Sequence, residues 1–448
     1  MNKRISGLGA QLKEKLIQQS LERRLRSAGQ TTQPPQAPRA GAKAQQVPEQ
    51  FRRFDQHPGY QQLRIISEGG TRLGIANPFF KLHEGRAGAH TTIAGKDLLN
   101  FANYNYLGFS GDPRVNAAAV AAIERYGTSV SASRVVSGER PIHRELERSL
   151  AALYGTDDAV VMVSGHAANV TTIGHLFGPR DLIVHDELVH NSILQGIKLS
   201  GAKRLPFAHN DWAALDSLLE RQRNDFERVL IVVKGIYSMD GDYPDLPRFV
   251  EIRNRHQCFL MVDEAHSLGV MGKRGYGIRE HFGLQGSDVD IWMGTLSKTL
   301  AGCGGYIAGE HALIEHLKFL APGFLYSVGM APPLAAASLA ALECLHAEPA
   351  RVEKLQHNGQ LLLESLQRKG IDTGHSTGLA VVPAIVGSSV KATRLSASLL
   401  EQGINVQPIL YPAVPEKAAR LRFFVSCEHS PAELQHAARC TAETLADL

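Results

Sequence analysis

The segment IWMGTLSKTLAGCGGYIAG, Ile291 to Gly309, places one lysine between a short apolar run and a glycine-rich loop. The apolar run predicts a buried β-strand that ends near Thr295. The glycines after Lys298 allow the backbone to turn tightly or to approach a ligand. An isolated lysine is usually a solvated surface charge, but desolvation at the end of a buried strand lowers its pKa. Lys298 is therefore a candidate nucleophile of the kind that forms Schiff bases.

Further apolar runs precede this segment and set the fold class. Continuous Val, Ile and Leu residues predict strands that are buried on both faces, as in a mostly parallel sheet covered by helices. The chemistry of such sheets lies beyond the carboxyl ends of the strands. The runs are AVVMVSG (159–165), DLIVHD (181–186), RVLIVVKGIYS (228–238) and CFLMVDEAH (258–266).

The C-terminal segments LAALECLHA (339–347), GLAVVPAIVG (378–387) and RLRFFVSC (420–427) predict a smaller α/β unit. We therefore predict an N-terminal segment at 51–110, a large domain at 111–335 and a small C-terminal domain at 336–448. A basic amphipathic helix at 1–28 and a disordered, Gln/Pro/Ala-rich linker precede them within residues 1–50. That helix could dock on a partner or lie on an anionic membrane, or it could pack loosely on its own dimer or fray.

Composition excludes several classes of protein. The 448 residues carry a net charge of +4, but residues 1–50 hold nine Lys/Arg against three Asp/Glu, which leaves −2 on the rest. The body is thus not basic, and no nucleic-acid partner is predicted. The five scattered cysteines predict neither a disulfide framework nor a metal site. No signal peptide or membrane span is apparent, so we expect a cytoplasmic location.

The stretch LMVDEAHSLGVMG (260–272) contains the letters Asp-Glu-Ala-His that also occur in nucleic-acid helicases. A helicase needs a phosphate-binding loop of the form G-x-x-x-x-G-K-[ST] beside that acidic strand end. The Gly-Lys pairs at Gly95 and Gly272 are not followed by Ser or Thr. The helicase interpretation is therefore rejected.

Pyridoxal phosphate (PLP) explains Lys298 and its neighbours together. Its pyridine nitrogen needs a carboxylate, which Asp263 supplies, and His266 can reach the ring hydroxyl. Its phosphate needs amides at a helix start, which SGHAAN (164–169) supplies, and His190 can cover the ring. Each residue has another interpretation: Asp263 as a helix cap, His190 as a core histidine and Gly165 as a plain turn.

The ordered motifs also resemble a known family. SGHAANV (164–170), HNSILQG (190–196), SMDGD (238–242), VDEAHSLGVMGKRGYG (262–277) and GTLSKTLAGCGGYIAG (294–309) are similar to the α-oxoamine synthases. This family includes 8-amino-7-oxononanoate synthase, 2-amino-3-ketobutyrate CoA ligase, 5-aminolevulinate synthase and serine palmitoyltransferase. The resemblance spans about residues 77–448. The sequence as a whole is similar to family members that work beside polyketide or fatty-acyl assembly lines.

The resemblance implies a PLP-dependent fold-type I enzyme, like aspartate aminotransferase, that is a homodimer. It implies a decarboxylative Claisen-type condensation of an amino acid with an acyl thioester, on CoA or an acyl carrier protein, giving an α-amino ketone, CO₂ and free thiol. The implied catalytic residues are Lys298, His190, Asp263 and His266. The implied cofactor-binding residues are Gly165, His166, His190, Ser238, Asp263, His266, Thr295 and Lys298, and the substrate residues are Asn105 and Arg422.

Two alternatives stay open at this point. Another fold-type I activity, such as an aminotransferase or an aldol-type lyase, would use the same lysine, aspartate and phosphate amides. A catalytically silent partner subunit would be an interaction protein, although it would have no need of Lys298. The resemblance also has departures: Ser327-Val328-Gly329 replaces a usual Ser-Thr-Ser, and GTSVSASR (127–134) has fewer glycines than usual.

Overall fold

The computed structural model describes residues 47–72 and 74–448. The chain divides into two units, Met1–Phe80 and Lys81–Leu448. In the first unit the main described element is helix α1, Pro58–Arg72, preceded by a 3₁₀ turn at Glu49–Phe51. The basic helix predicted for residues 1–28 lies outside the described residues, as does most of the predicted linker.

A seven-stranded sheet forms the centre of the second unit. Its strand order is β3-β9-β8-β7-β6-β4-β5, and every neighbouring pair is parallel except those made by β9. The strands are β3 Asp158–Met162, β4 Leu182–Asp186, β5 Lys203–Phe207, β6 Val229–Lys234, β7 Phe259–Asp263, β8 Ile291–Thr295 and β9 Gly305–Gly309.

Two three-stranded sheets complete the strands of this unit. One has the order β1-β2-β11 and the other β10-β13-β12. The sheets join chain segments far apart in sequence, because β11 pairs in parallel with β2. The strands are β1 His90–Ile93, β2 Lys96–Asn100, β10 Val381–Ile385, β11 Ile404–Asn405, β12 Gln407–Ile409 and β13 Arg420–Phe424.

Helices connect these strands and cover the sheets. They are α2 Pro113–Tyr126, α3 Pro141–Tyr154, α4 Gly165–Leu176, α5 Asn191–Ser200, α6 Trp212–Gln222, α7 Leu246–His256, α8 Gly277–Phe282, α9 His311–Leu320, α10 Pro322–Leu325, α11 Pro332–Ala347, α12 Pro349–Gln367, α13 Ser389–Glu401 and α14 Pro431–Ala446. None of the helices in residues 47–72 and 74–448 has the length and apolar character to span a bilayer.

The central sheet separates two hydrophobic clusters. Successive residues of a strand alternate between them: Val161, Val184 and Val262 join the larger cluster, whereas Val160 and Ile183 join the smaller. This alternation follows the two-residue period of side chains in a strand. The predicted α/β class with a mostly parallel sheet buried on both faces is confirmed. The proposed boundary between a large domain and a small one at residue 335 stays a prediction.

Candidate active site

The carboxyl ends of the parallel strands bring several predicted residues to one edge of the central sheet. Asp263 ends β7 and pairs in register with Lys234, which ends β6. Thr295 ends β8 on the other side of β7. Parallel strands share the same direction, so their terminal side chains gather where this class of fold binds ligands.

Lys298 lies three residues beyond β8, half-buried at this edge. Its Nζ atom is 5.4 Å from the centre of the Tyr104 ring. Burial, together with the charges of Lys234 and Arg422, lowers the pKa of Lys298 to about 7, although the Asp263 carboxylate acts in the opposite direction. An amine with this pKa is available as a nucleophile near neutral pH.

A hydrogen-bonded chain connects Asp263 with His190. The Asn169 amide nitrogen donates to Asp263 Oδ2 at 3.4 Å and to Ser192 Oγ at 2.9 Å. Ser192 Oγ in turn lies 2.7 Å from His190 Nδ1, which also accepts from the Ser192 amide. Because Nδ1 is the acceptor, the network assigns the ring proton to Nε2. The protein atoms around the His190 imidazole lower its pKa by desolvation, so the ring is neutral. The residue nevertheless keeps part of its surface exposed.

His266 is buried among aromatic side chains. Its Nδ1 atom is 2.8 Å from the Tyr106 hydroxyl, and its ring stacks on Phe424 with an interplanar angle of 12°. Burial lowers the pKa of His266 well below its ordinary value, and the nearby Lys298 charge acts in the same direction. His266 is therefore a neutral hydrogen-bonding group.

The N-terminus of helix α4 provides unpaired amides at the same edge. Ser164 caps the helix by accepting from the Ala167 amide at 3.0 Å. The amides of Gly165 and His166 belong to the first turn and have no partner within the helix, which makes them an anion-binding pair. A Cβ atom on Gly165 would lie 3.2 Å from Thr295, so a larger residue there would crowd the hydroxyl that faces this turn.

Arg422 and Ser238 are in contact near Lys298. Arg422 Nη1 donates to the Ser238 carbonyl at 3.1 Å, and its guanidinium lies 4.4 Å from the centre of the Phe424 ring. Its Nε atom is buried without a hydrogen-bond partner among the described residues, and no carboxylate there forms an ion pair with it. A buried guanidinium of this kind suits a carboxylate ligand.

Asn105 has a structural set of hydrogen bonds. Its Nδ2 donates to the carbonyls of Ala87 and Ser110 at 2.8 and 3.2 Å, and its Oδ1 accepts from the Ser110 amide. The side chain thus closes the loop after β2. A contact between Asn105 and substrate stays a prediction.

Sequence reasoning missed four residues of this site: Tyr104, Tyr106, Asn169 and Lys234. Tyr104 and Tyr106 stand in NYNYLG, where attention to the aromatic residues as well as to Asn105 would have found them. Asn169 lies four residues after Gly165, on the same face of α4. Lys234 was visible as a charge at the end of a fully apolar strand.

The geometry of this site fits PLP. A lysine with a lowered pKa, a buried carboxylate, a free amide pair and an exposed neutral ring share one edge. Two buried polar atoms of the site, Asn169 Oδ1 and Arg422 Nε, have no partner among the described residues. The cations outnumber the carboxylates, as a site for an anionic cofactor and a carboxylate substrate requires.

Comparisons with known proteins agree with this assignment. The family model "Aminotransferase class I and II" matches residues 96–440. The 8-amino-7-oxononanoate synthase of Symbiobacterium thermophilum is 40% identical over 369 residues, covering 82% of this chain and 93% of that protein.

Solved structures show the same relationship. Serine palmitoyltransferase of Sphingomonas wittichii has a TM-score of 0.83 and 28% identity, over 87% of this chain and 98% of that one. The 8-amino-7-oxononanoate synthase of Francisella tularensis has a TM-score of 0.69 and 25% identity, over 78% of this chain and 98% of that one. The chain therefore belongs to the aminotransferase class I and II family, and within it to the α-oxoamine synthases.

Proposed function

We propose that the chain is a PLP-dependent acyltransferase that condenses an amino acid with an acyl thioester. A bond forms between the amino acid Cα and the acyl carbon while the thioester C–S bond breaks. The Cα–carboxylate bond also breaks, so an α-amino ketone, CO₂ and a free thiol leave. The observation that carries this proposal is that Lys298 and Arg422 form no ion pair among the described residues at the sheet edge that Asp263 also occupies.

When bound, PLP supplies an aldehyde for the amino group and a protonated ring that accepts electrons from Cα. The Lys298 amine would hold the cofactor through its aldehyde group and would move the proton at the substrate Cα. The Asp263 carboxylate would keep the ring nitrogen protonated. Asn169 fixes that carboxylate, since it donates to Oδ2 at 3.4 Å.

Other residues hold the cofactor in place. The His190 ring covers one face of the pyridine, and the Gly165 and His166 amides bind the phosphate with help from the Thr295 hydroxyl. His266 and Ser238 act at the ring hydroxyl. For His266 this role is supported by its neutral state and by the Tyr106 hydroxyl at 2.8 Å, which orients the imidazole.

Two residues are assigned to the substrates. The Arg422 guanidinium binds the amino acid carboxylate through two parallel hydrogen bonds, as its planar geometry allows. Its buried Nε without a partner supports this role. Asn105 is the second substrate residue of the proposal, and its hydrogen bonds also hold the loop that carries Tyr104 and Tyr106.

Product analysis tests the proposal. The purified protein is incubated with glycine, alanine or serine and a series of acyl-CoA thioesters. Equimolar CO₂, free thiol and α-amino ketone are expected. Keto acid formed without a thioester would instead indicate an aminotransferase, and an aldehyde released from a β-hydroxy amino acid would indicate an aldol-type lyase. A protein that binds PLP at Lys298 and gives none of these products would be a silent partner subunit.

A homodimer is part of the proposal. Exposed apolar side chains, Val135, Val136, Phe319, Leu320, Tyr326 and Val328, cluster in two segments. These segments pair with each other at Ser133 and Val328. An apolar surface of this kind is typical of a protein interface. Sedimentation should give twice the chain mass of 48.7 kDa.

The acyl donor is proposed to ride on a carrier protein that the basic residues 1–28 recruit, since carrier proteins are acidic partners for such a helix. Deletion of residues 1–50 should then slow turnover of the carrier-bound donor much more than turnover of the CoA thioester. Equal losses with both donors would reject this part of the proposal. A cytoplasmic location likewise stays a prediction, which cell fractionation would test.

A further inference from the structure

Lys234 belongs to the active-site edge, although neither the motifs nor the family resemblance assigned it a role. It is the last residue of β6, and its side chain is buried, with 2% of its surface exposed. It pairs in register with Asp263 on the neighbouring parallel strand. Paired residues of adjacent strands project from the same face of a sheet. The side chains of Lys234 and Asp263 therefore leave the same face of the sheet from neighbouring strand ends.

The ammonium of Lys234 has few partners for a buried charge. Nζ donates to Ser238 Oγ at 3.1 Å and lies 5.7 Å from the centre of the Tyr237 ring. An ammonium has three donors, yet no carboxylate of the described residues lies within the 4.0 Å of an ion pair. Burying a charge with so little compensation is costly. Such a residue is more easily explained by a role at the site than by a role in folding.

The neighbourhood of Lys234 explains what its charge does. Positive charges near one another disfavour each other's protonated forms. Lys234 and Arg422 both disfavour the charged form of Lys298, whereas Asp263 favours it. Burial lowers the pKa of Lys234 and Arg422 acts in the same direction, whereas three carboxylates, Asp263, Asp186 and Asp240, favour its charged form. The titratable groups around the two lysines are Asp186, Asp240, Asp263, His190, His266 and Arg422.

We propose that Lys234 is a positioning residue of this active site, which orients the Ser238 hydroxyl and uses its charge to keep the Lys298 amine neutral and nucleophilic. This inference rests on the proposed function, which names Lys298 as the attachment point of PLP. The competing explanation is that Lys234 only fixes the turn after β6 through Ser238. The two explanations differ in the titration of Lys298.

The test is competitive labelling of Lys298 in the full-length chain after removal of the cofactor. Trace acetic anhydride is applied across a pH series, and the labelled peptide is quantified by mass spectrometry. In the unmodified chain we expect a midpoint at about pH 7. Loss of a neighbouring cation in Lys234→Met should raise that midpoint by about one to two pH units. Labelling at pH 7 should then fall about 5- to 50-fold.

Two control variants separate charge from structure. Lys234→Arg keeps the charge and should keep the midpoint of Lys298. Lys203→Met removes a lysine of the same sheet that also lies over an aromatic ring, with Nζ 5.2 Å from the centre of the Phe226 ring, and should change nothing. If Lys234→Met does not fold, Lys234→Gln replaces it in the same measurement.

An unchanged Lys298 midpoint in the folded charge-removing variant would overturn the inference. The product assay reports separately on the proposed function. A shifted midpoint without any amino ketone from the unmodified chain would leave the role of Lys234 intact and reject the function. Amino ketone formation with an unshifted Lys298 midpoint would support the proposed function and reject the role of Lys234.

Discussion

Two groups of buried charges in this protein are partnered in opposite ways. The first surrounds Glu147, whose side chain is fully buried in helix α3. Arg134 and Arg144 donate to it at 2.5 and 2.6 Å, and Lys318 donates at 3.1 Å. The amide of Val161 on β3 donates to it at 3.0 Å. Every oxygen of this carboxylate is satisfied, so the group ties two helices and a strand together.

The second group surrounds Lys298 and is left incomplete. Lys298, Lys234 and Arg422 form no ion pair among the described residues, although Asp263 favours the charged forms of the two lysines. Buried charges cost free energy unless they are paired. This difference indicates where a ligand is required. The charges of the Glu147 group are paired within the protein, whereas those of the Lys298 group need anions from the cofactor and the substrate.

Lys298→Ala should give the largest effect and sharpens this difference. Formation of amino ketone should fall by about 10⁴-fold or more, because the variant loses both the attachment point and the proton-transfer group. The free energy of unfolding of the cofactor-free protein should not fall, because Lys298 forms no ion pair among the described residues that the substitution would break. Reaction rates and urea unfolding curves measure both. A variant that keeps a tenth of the rate would show that another group does the chemistry.

Glu147→Gln should have the opposite pattern. It leaves three cations facing a neutral amide, and breaking a buried ion pair costs about 3–5 kcal/mol of the free energy of unfolding. The turnover per folded molecule should stay the same. Glu139→Gln is the matched control, since Glu139 also binds Arg134, at 2.7 Å, but is largely exposed. Its loss should cost less than about 1 kcal/mol. Equal costs for the two variants would contradict the comparison.

Much of the fold could be predicted from the sequence because its strands are continuous apolar runs. The predicted runs ending at Asp186, Asp263 and Thr295 are strands in the structure. The glycines of the antiparallel strand β9, GYIAG, hide its strand pattern. The sequence therefore predicts only a glycine-rich loop there. Strand β5, KRLPF, is exposed at the sheet edge and lacks the apolar pattern altogether.

The site could be predicted only where one residue carries the chemistry by its type. Lys298, Asp263 and His266 stand in motifs whose spacing brings them to one edge. Asn169 and Tyr106 act by contacting those residues, and such contacts depend on which helix or loop packs against the sheet. That information lies in the tertiary structure rather than in any local pattern.

Arg422→Lys tests the unpaired side of the comparison more finely. A lysine keeps the charge but cannot donate two parallel hydrogen bonds to a carboxylate. The loss in kcat/KM for the amino acid should be about 1–3 kcal/mol, or roughly 5- to 150-fold, mainly through KM. Arg420→Lys is the control on the same strand, because Arg420 already binds Asp240 at 2.6 Å. Its effect on KM should be small. A larger effect from Arg420→Lys would place the substrate carboxylate elsewhere.

The smallest expected effect concerns His209, a histidine that is paired with carboxylates at the same edge of the sheet. Its ring nitrogens lie 3.1 Å from Asp186 and 2.8 Å from Asp242. Although burial acts against it, hydrogen bonds to these two carboxylates raise the pKa of His209 to about 10. Burial, reinforced by nearby cations, places the pKa of His266 well below its ordinary value. Two carboxylates thus overcome the effect of burial at His209, whereas the charges around His266 add to it.

The pH dependence of stability follows from the sign of that shift. A pKa raised in the folded state stabilises the protein below the ordinary histidine pKa, and the stabilisation is lost as the pH rises through about 10. His209→Gln should therefore lower the free energy of unfolding at pH 7 by about 1–3 kcal/mol. The difference from the unmodified chain should shrink steadily toward pH 10. Urea unfolding of both proteins at each pH measures it, and a difference that stays constant would mean that His209 holds Asp186 and Asp242 as a neutral ring.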